Sequence, residues 1–208
     1  MLYYQFHTLI NIYTIGGVIQ NGYPVGLPLT EKLLPSYLQD YAYETHGVGK
    51  WHLGFYQSQY TPEKRGFDTW YGYYTGNEEY YNHTSPNWGC SNHTALDLHY
   101  INEDNVFTPI INETDTYSTN LFSNQINHII QNYAKKSKIN DQKRKGLFIY
   151  APFEAVHGAS SCYVNGSSPN CQTPDGDELQ SPLHYIDKQV NITNKQRKTF
   201  AGMLGKFA

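Results

Sequence analysis

Leu121, Phe122, Ile126, Ile129, Ile130 and Tyr133 fall on one stripe of residues 117–134. The spacing follows the turn of an α-helix and predicts an amphipathic helix with one buried face. Lys135, Lys136 and Lys138 come next, where cations suit a helix C-terminus. Leu147-Phe148-Ile149-Tyr150-Ala151 then reads as a short buried strand. The same order occurs earlier in the chain. Leu33, Leu34, Leu38 and Tyr41 predict a helix over 31–42, with Thr30 as its cap and Pro35 in its first turn. Glu44–Val48 follows as a strand and ends at Gly49-Lys50-Trp51-His52-Leu53-Gly54. Helix, strand, helix, strand predicts an α/β layer arrangement around a parallel sheet. Residues 55–94 are rich in Tyr, Asn and Gly without a period, so they read as irregular. Residues 158–183 read as loop, and a third helix starts at 194.

Composition narrows the class of protein. A chain of 208 residues suggests one domain or two. Twenty Tyr and nine Phe are too many aromatics for a disordered chain. A net charge of −3 argues against a broadly basic nucleic-acid binder. No apolar run reaches the ~18 residues a membrane-spanning helix needs. Five Asn-x-Ser/Thr signals, at Asn82, Asn92, Asn112, Asn165 and Asn191, point to the secretory pathway. The first 23 residues do not read as a signal peptide: they have no basic start, and Gln5, His7 and Asn11 interrupt the apolar stretch. Of the three Cys, Cys162 and Cys171 flank a short loop that a disulfide or two free thiols would both fit, and Cys90 has no evident partner.

Ligands of open α/β sheets sit beyond the carboxyl ends of the strands. Lys50 and His52 lie at one such end, two residues apart, which in extended backbone puts both on one face and Trp51 on the other. A cation beside an imidazole makes an anion site: Lys supplies a point charge and His a directional hydrogen bond. The second strand runs into Pro152 and reaches His157.

The string Gly49–Gly54 resembles a signature of the sulfatase family, and within it the arylsulfatase B type. Its flanks continue in family order. Gly26–Pro35 precedes it; Arg65-Gly66-Phe67-Asp68 and Gly76–Tyr81 follow; then come Tyr117–Asn120, the strand into Val156-His157, and Phe200–Met203. The resemblance covers residues 6–208. It implies part of the three-layer fold of alkaline phosphatases and sulfatases, with a mixed, mainly parallel sheet truncated at both ends. Residues 1–208 would then be a partial N-terminal catalytic domain of a lysosomal or extracellular glycoprotein. The implied substrate is a sulfated carbohydrate or small sulfate ester, with no nucleic acid or membrane span involved; the sequence does not address the oligomeric state.

The resemblance also implies roles. Lys50 contacts a sulfate oxygen and the leaving-group side of the ester. His52 helps hold the formylglycine nucleophile or the sulfate oxygens. His157 binds sulfate and protonates the departing alcohol, which suits an imidazole. Family members bind calcium through Asp and Asn oxygens, and those ligands are expected outside this chain. No Cys-x-Pro-x-Arg or Ser-x-Pro-x-Arg, the source of the formylglycine, occurs in the 208 residues. The chain alone is therefore expected to be inactive and marginally folded. The competing reading is a secreted, non-catalytic glycoprotein that binds sulfated glycans. It draws on Lys135, Lys136, Lys138, Lys143, Arg144 and Lys145, which are six of the 15 basic residues.

Overall fold

The computed structural model describes residues 19, 21–86, 94–139, 146–158 and 179–205. Among them, besides two single-turn 3-10 helices (Ser58–Tyr60 and Pro62–Lys64), eleven α-helices and strands follow in chain order: α1 (Leu34–Asp40), β1 (Glu44–Lys50), β2 (Thr69–Tyr73), β3 (Thr84–Pro86), β4 (Thr94–Leu96), β5 (His99–Ile101), β6 (Phe107–Pro109), α2 (Ser118–Ile139), β7 (Leu147–Tyr150), α3 (Leu183–Asp187) and α4 (Lys195–Gly205). Five strands form one sheet in the order β6-β5-β2-β1-β7, and β3 and β4 pair separately. β1 pairs in parallel with both β2 and β7, whereas β5 is antiparallel to β2 and β6 to β5. β6 therefore points the same way as β1, β2 and β7, and only β5 runs against them. The sheet is mixed with mostly parallel strands, in an α/β arrangement.

Period-2 alternation sends the two sets of side chains into different layers. Val48, Tyr73, Leu98, Leu121, Phe122 and Ile129 form one core, joined by Leu147 and Ile149, where α2 lies on the sheet. Each such side chain contributes roughly 1.5–3 kcal/mol by leaving water. Trp51, Phe67, Trp70, Tyr74 and Ile101 form the core on the other face, with Leu33 and Phe148 against it. Trp51, Phe67 and Trp70 meet edge to face, with centroids 5.4–6.1 Å apart, the arrangement their ring quadrupoles favour.

Several sequence expectations need correction. α1 begins at Leu34, its N-cap is Leu33 with no side-chain cap bond, and Thr30 lies in the preceding turn. Pro35 sits in the first turn as expected and is the buried residue of that helix. Leu34 and Tyr41 are exposed because Pro35 and Leu33, not the i, i+4, i+7 stripe, face the sheet. α2 matches its stripe except that Ile130 faces solvent, at the edge of the apolar arc. Residues 55–94 are not wholly irregular: β2 lies within them. It shows no alternation because both its faces are buried and Gly72 adds no side chain to either. β7 is half-buried rather than buried, since it borders the described sheet. α3 is a short helix that starts at the last residue of what read as a loop. All three Cys lie outside the described residues.

Arg65 is the main polar staple of this frame. It is buried, and its guanidinium donates to the carbonyls of Leu27 (3.0 Å), Pro28 (3.3 Å) and Glu31 (2.8 Å). A planar fork with five donors suits three carbonyls in one loop. Arg65→Ala leaves those acceptors unsatisfied, and a stability loss of about 2–4 kcal/mol is expected in chemical denaturation. Arg65→Lys should recover less than half of it, because an ammonium cannot span the same three carbonyls.

Candidate functional site

The parallel pairing of β1 with β7 brings two strand ends to one edge of the sheet. Lys50 closes β1, and its N–H donates to the Pro152 carbonyl at 2.9 Å. The pairing depends on glycine. Gly49 has φ +123°, and a Cβ there would overlap the Pro152 carbonyl; a Cβ at Gly72 would overlap the Gly49 backbone.

Beyond Lys50 the chain turns. Trp51 N–H donates to Tyr73 O (2.9 Å) and His52 N–H to Tyr74 O (3.1 Å), and Trp51 is buried with its indole N–H on the Gly54 and Tyr60 carbonyls. His52 has φ +54°, in the left-handed region. The expectation that extended backbone puts Lys50 and His52 on one face is thus wrong in its geometry, because the strand has ended. The two side chains still share one electrostatic environment. Burial pushes the His52 imidazole down to about 4, and the Lys50 and His157 charges push the same way. His157 lies at the exposed end of the 152–157 turn, its N–H on Glu154 O at 2.8 Å. Lys50 and His157 therefore both lie within electrostatic reach of His52.

The imidazoles are set up differently. His52 Nε2 pairs with the Ile19 carbonyl at 2.9 Å. A carbonyl only accepts, so Nε2 carries the proton and Nδ1 of the neutral ring presents a lone pair. His52 in that state accepts a hydrogen bond; it does not donate to an anion. His157 donates from Nδ1 to the Gly158 carbonyl at 2.8 Å, which leaves Nε2 for a ligand. Burial draws the Lys50 ammonium below its ordinary value and the Glu154 carboxyl opposes that. The arrangement offers one cation, one imidazole with an open nitrogen toward solvent and one neutral acceptor.

Sequence reasoning missed the acidic residues beneath this site. Glu78 and Glu154 are buried, and Glu154 Oε1 accepts the Glu78 N–H at 2.8 Å. Burial raises the pKa of both carboxyls. The signal for Glu154 was present: an acid in the apolar run from Leu147 to Val156, three residues before His157. Asp97 is half-buried. Its carboxylate accepts the Tyr74 and Thr75 N–H groups at 3.0 Å each and fixes the loop after β2. Among the described residues no group of three or more His, Cys, Asp and Glu converges to hold a metal, so those residues do not fit the calcium that the resemblance implies.

A family model described as Sulfatase matches residues 1–205. Mouse arylsulfatase J is 31% identical over 201 residues, which is 97% of this chain and 27% of that protein. Pig N-acetylgalactosamine-6-sulfatase is 43% identical over 65 residues, 29% of this chain and 12% of that protein. The chain therefore spans about a quarter or less of these relatives. The solved structure of Ps i-CgsB aligns with a TM-score of 0.61 and 25% identity over 90% of this chain and 36% of that one. The same protein in complex with k-i-k-neocarrahexaose aligns at 0.60.

Proposed function

Because the chain belongs to the sulfatase family, we propose that Lys50, His52 and His157 form the sulfate-binding part of a site that hydrolyses sulfate esters of carbohydrates. The observation that carries this is the joint placement of a half-buried ammonium and an outward imidazole nitrogen at the β1 and β7 strand ends. Lys50 balances charge on the sulfuryl group, and a low-dielectric setting strengthens that attraction. As the imidazolium, His157 keeps Nδ1–H on the Gly158 carbonyl, donates Nε2–H to the bridging ester oxygen and passes that proton to the departing alcohol, which leaves the ring neutral. His52 stays neutral and accepts a hydroxyl hydrogen at Nδ1. That favours the nucleophile-holding role over direct contact with sulfate oxygens, which are acceptors themselves. Residues 1–208 act here as part of a catalytic domain. The substrate class draws on the galactosamine sulfatase relatives and on the carbohydrate complex of i-CgsB. These relatives do not single out the arylsulfatase B type.

Three further readings belong to the same proposal. Calcium, where the family uses it, is held by residues other than those described. The protein passes through the secretory pathway to the lysosome or beyond, and Asn82, Asn112 and Asn191 are exposed where a glycan would attach. The 208 residues bind sulfate without turning it over, since they hold no formylglycine motif. The glycan-binding alternative finds its basic run already engaged at Lys136. Lys136 is paired with Glu103 at 3.2 Å and Glu44 at 3.6 Å, and Lys143, Arg144 and Lys145 lie outside the described residues.

Titration with inorganic sulfate, followed by NMR of the His imidazoles, tests the site. Sulfate should shift the His157 signals and, through Lys50, those of His52. Lys50→Ala should weaken binding about tenfold or more, the equivalent of one charge-assisted contact. Sulfate that shifts neither imidazole, or binds Lys50→Ala equally well, would contradict the assignment.

A further inference from the structure

We propose that Glu154 is a positioning residue, which clamps the turn carrying His157 onto the loop 76–83. The inference rests on the site reading above. Glu154 works through two groups at once. Its carbonyl accepts the His157 N–H at 2.8 Å, and its Oε1 accepts the Glu78 N–H at 2.8 Å. The loop answers from its other side: Tyr80 donates its hydroxyl to the His157 carbonyl at 2.8 Å. Both backbone polar groups of His157 are thus fixed, one by Glu154 and one by the loop that Glu154 grips. Two residues earlier, Pro152 O holds the Lys50 N–H, so the same short segment sets both functional residues.

The loop is itself anchored. Ser118 at the start of α2 donates to Glu78 Oε1 at 2.9 Å, and Tyr80 stacks on Tyr117 with centroids 5.0 Å apart. Glu154 is only 4% exposed, and its Oε2 has no partner among the described residues. Such an orphan oxygen costs stability, and a neutral acid costs far less there than an anion. The groups facing it are Glu78, Glu79 and Tyr80 from the loop, Lys50 from β1, Tyr73 from β2 and Tyr117 beside α2. Burial, with Glu78 adding to it, raises the Glu154 carboxyl far above the usual range against the pull of Lys50.

The test uses Glu154→Gln, Glu154→Ala and Tyr80→Phe in the full 208-residue chain. The readouts are the His157 imidazole signals, hydrogen exchange at the Glu78 amide and the affinity for inorganic sulfate. Gln keeps an acceptor for the Glu78 N–H and no charge, so it should match wild type within about twofold in exchange and affinity. Ala should speed Glu78 exchange about tenfold, move the His157 signals and weaken sulfate binding about fivefold. Tyr80→Phe should move the His157 signals while Glu78 exchange stays within about twofold. Ala with unchanged His157 signals and Glu78 protection overturns the proposal, as does Gln behaving like Ala. If Ala unfolds, Gln and Tyr80→Phe decide: unmoved His157 signals in Tyr80→Phe overturn it. If wild type binds no sulfate while the His157 and Glu78 responses hold, the sulfate-site reading fails and the clamp stands.

Discussion

Gly49→Ala is expected to lower the melting temperature of the chain by about 10–20 °C, or to unfold it at 37 °C. Two costs coincide at this position. Its φ of +123° lies where L-residues are strained, and the added methyl would overlap the Pro152 carbonyl. Strain of this kind costs ~1–3 kcal/mol and overpacking a further ~1–3 kcal/mol. Neither can relax locally. Shifting β1 away from the 152–153 backbone breaks the Lys50 N–H to Pro152 O bond and drives Gly49 into Gly72 on β2, which flanks it on the other side. Total stability of a domain this size is roughly 5–15 kcal/mol, so the sum is a large part of it. Gly205→Ala is the control. A Cβ there meets nothing nearer than Gln189 Nε2 at 3.4 Å, and alanine suits the last turn of α4. It should be neutral or slightly stabilising. Near-ultraviolet circular dichroism of the Trp51–Trp70 cluster follows the loss directly. A Gly49→Ala protein that melts within ~2 °C of wild type would show that the β1–β7 seam is looser than described.

The glycine case shows what the sequence made legible. Gly49 and Gly54 were conspicuous only as ends of a motif; the physical demand on Gly49 came from Pro152, over a hundred residues away, and no local pattern reports it. Strands and helices with one buried face were readable, as in α2, where Leu121, Phe122 and Ile129 are buried as their spacing requires. β2 was not, because a strand covered on both sides loses its alternation. Lys50 was readable as the carboxyl end of β1, with His52 and His157 in the segments that follow β1 and β7. The state of His52 was not legible: the Ile19 carbonyl that sets its tautomer lies 33 residues earlier. The same holds for Asp97, His99 and Glu154, whose chemistry follows from burial by segments distant in sequence.

That distant burial gives the largest pH effects, and two of them run in opposite directions. His99 is buried against Tyr74 and Phe107, with ring centroids 4.0 and 4.9 Å away, and its Nε2 has no partner among the described residues. Burial pushes its pKa down to about 4. The unfolded chain takes up a proton near 6.5 that the folded chain refuses, so stability is lost as pH falls from 6.5 toward 4. Burial pushes Asp97 the other way, up to about 7, against the Thr75 and Tyr74 hydrogen bonds that favour its anion. There the folded state keeps a proton that the unfolded state has lost, so stability falls as pH rises from 3.8 toward 7. At about 1.4 kcal/mol for each unit, each effect is on the order of 2–3 kcal/mol between pH 7 and 4.5. His99→Phe keeps the ring packing and removes the titration, so it should gain on wild type by roughly 5–10 °C as pH drops over that span. Asp97→Asn should lose about as much relative to wild type over the same span. Thermal melts of the three proteins at pH 7 and 4.5 decide the matter: opposite slopes confirm that both groups titrate as buried side chains. Parallel slopes would mean that one of them is reached by water.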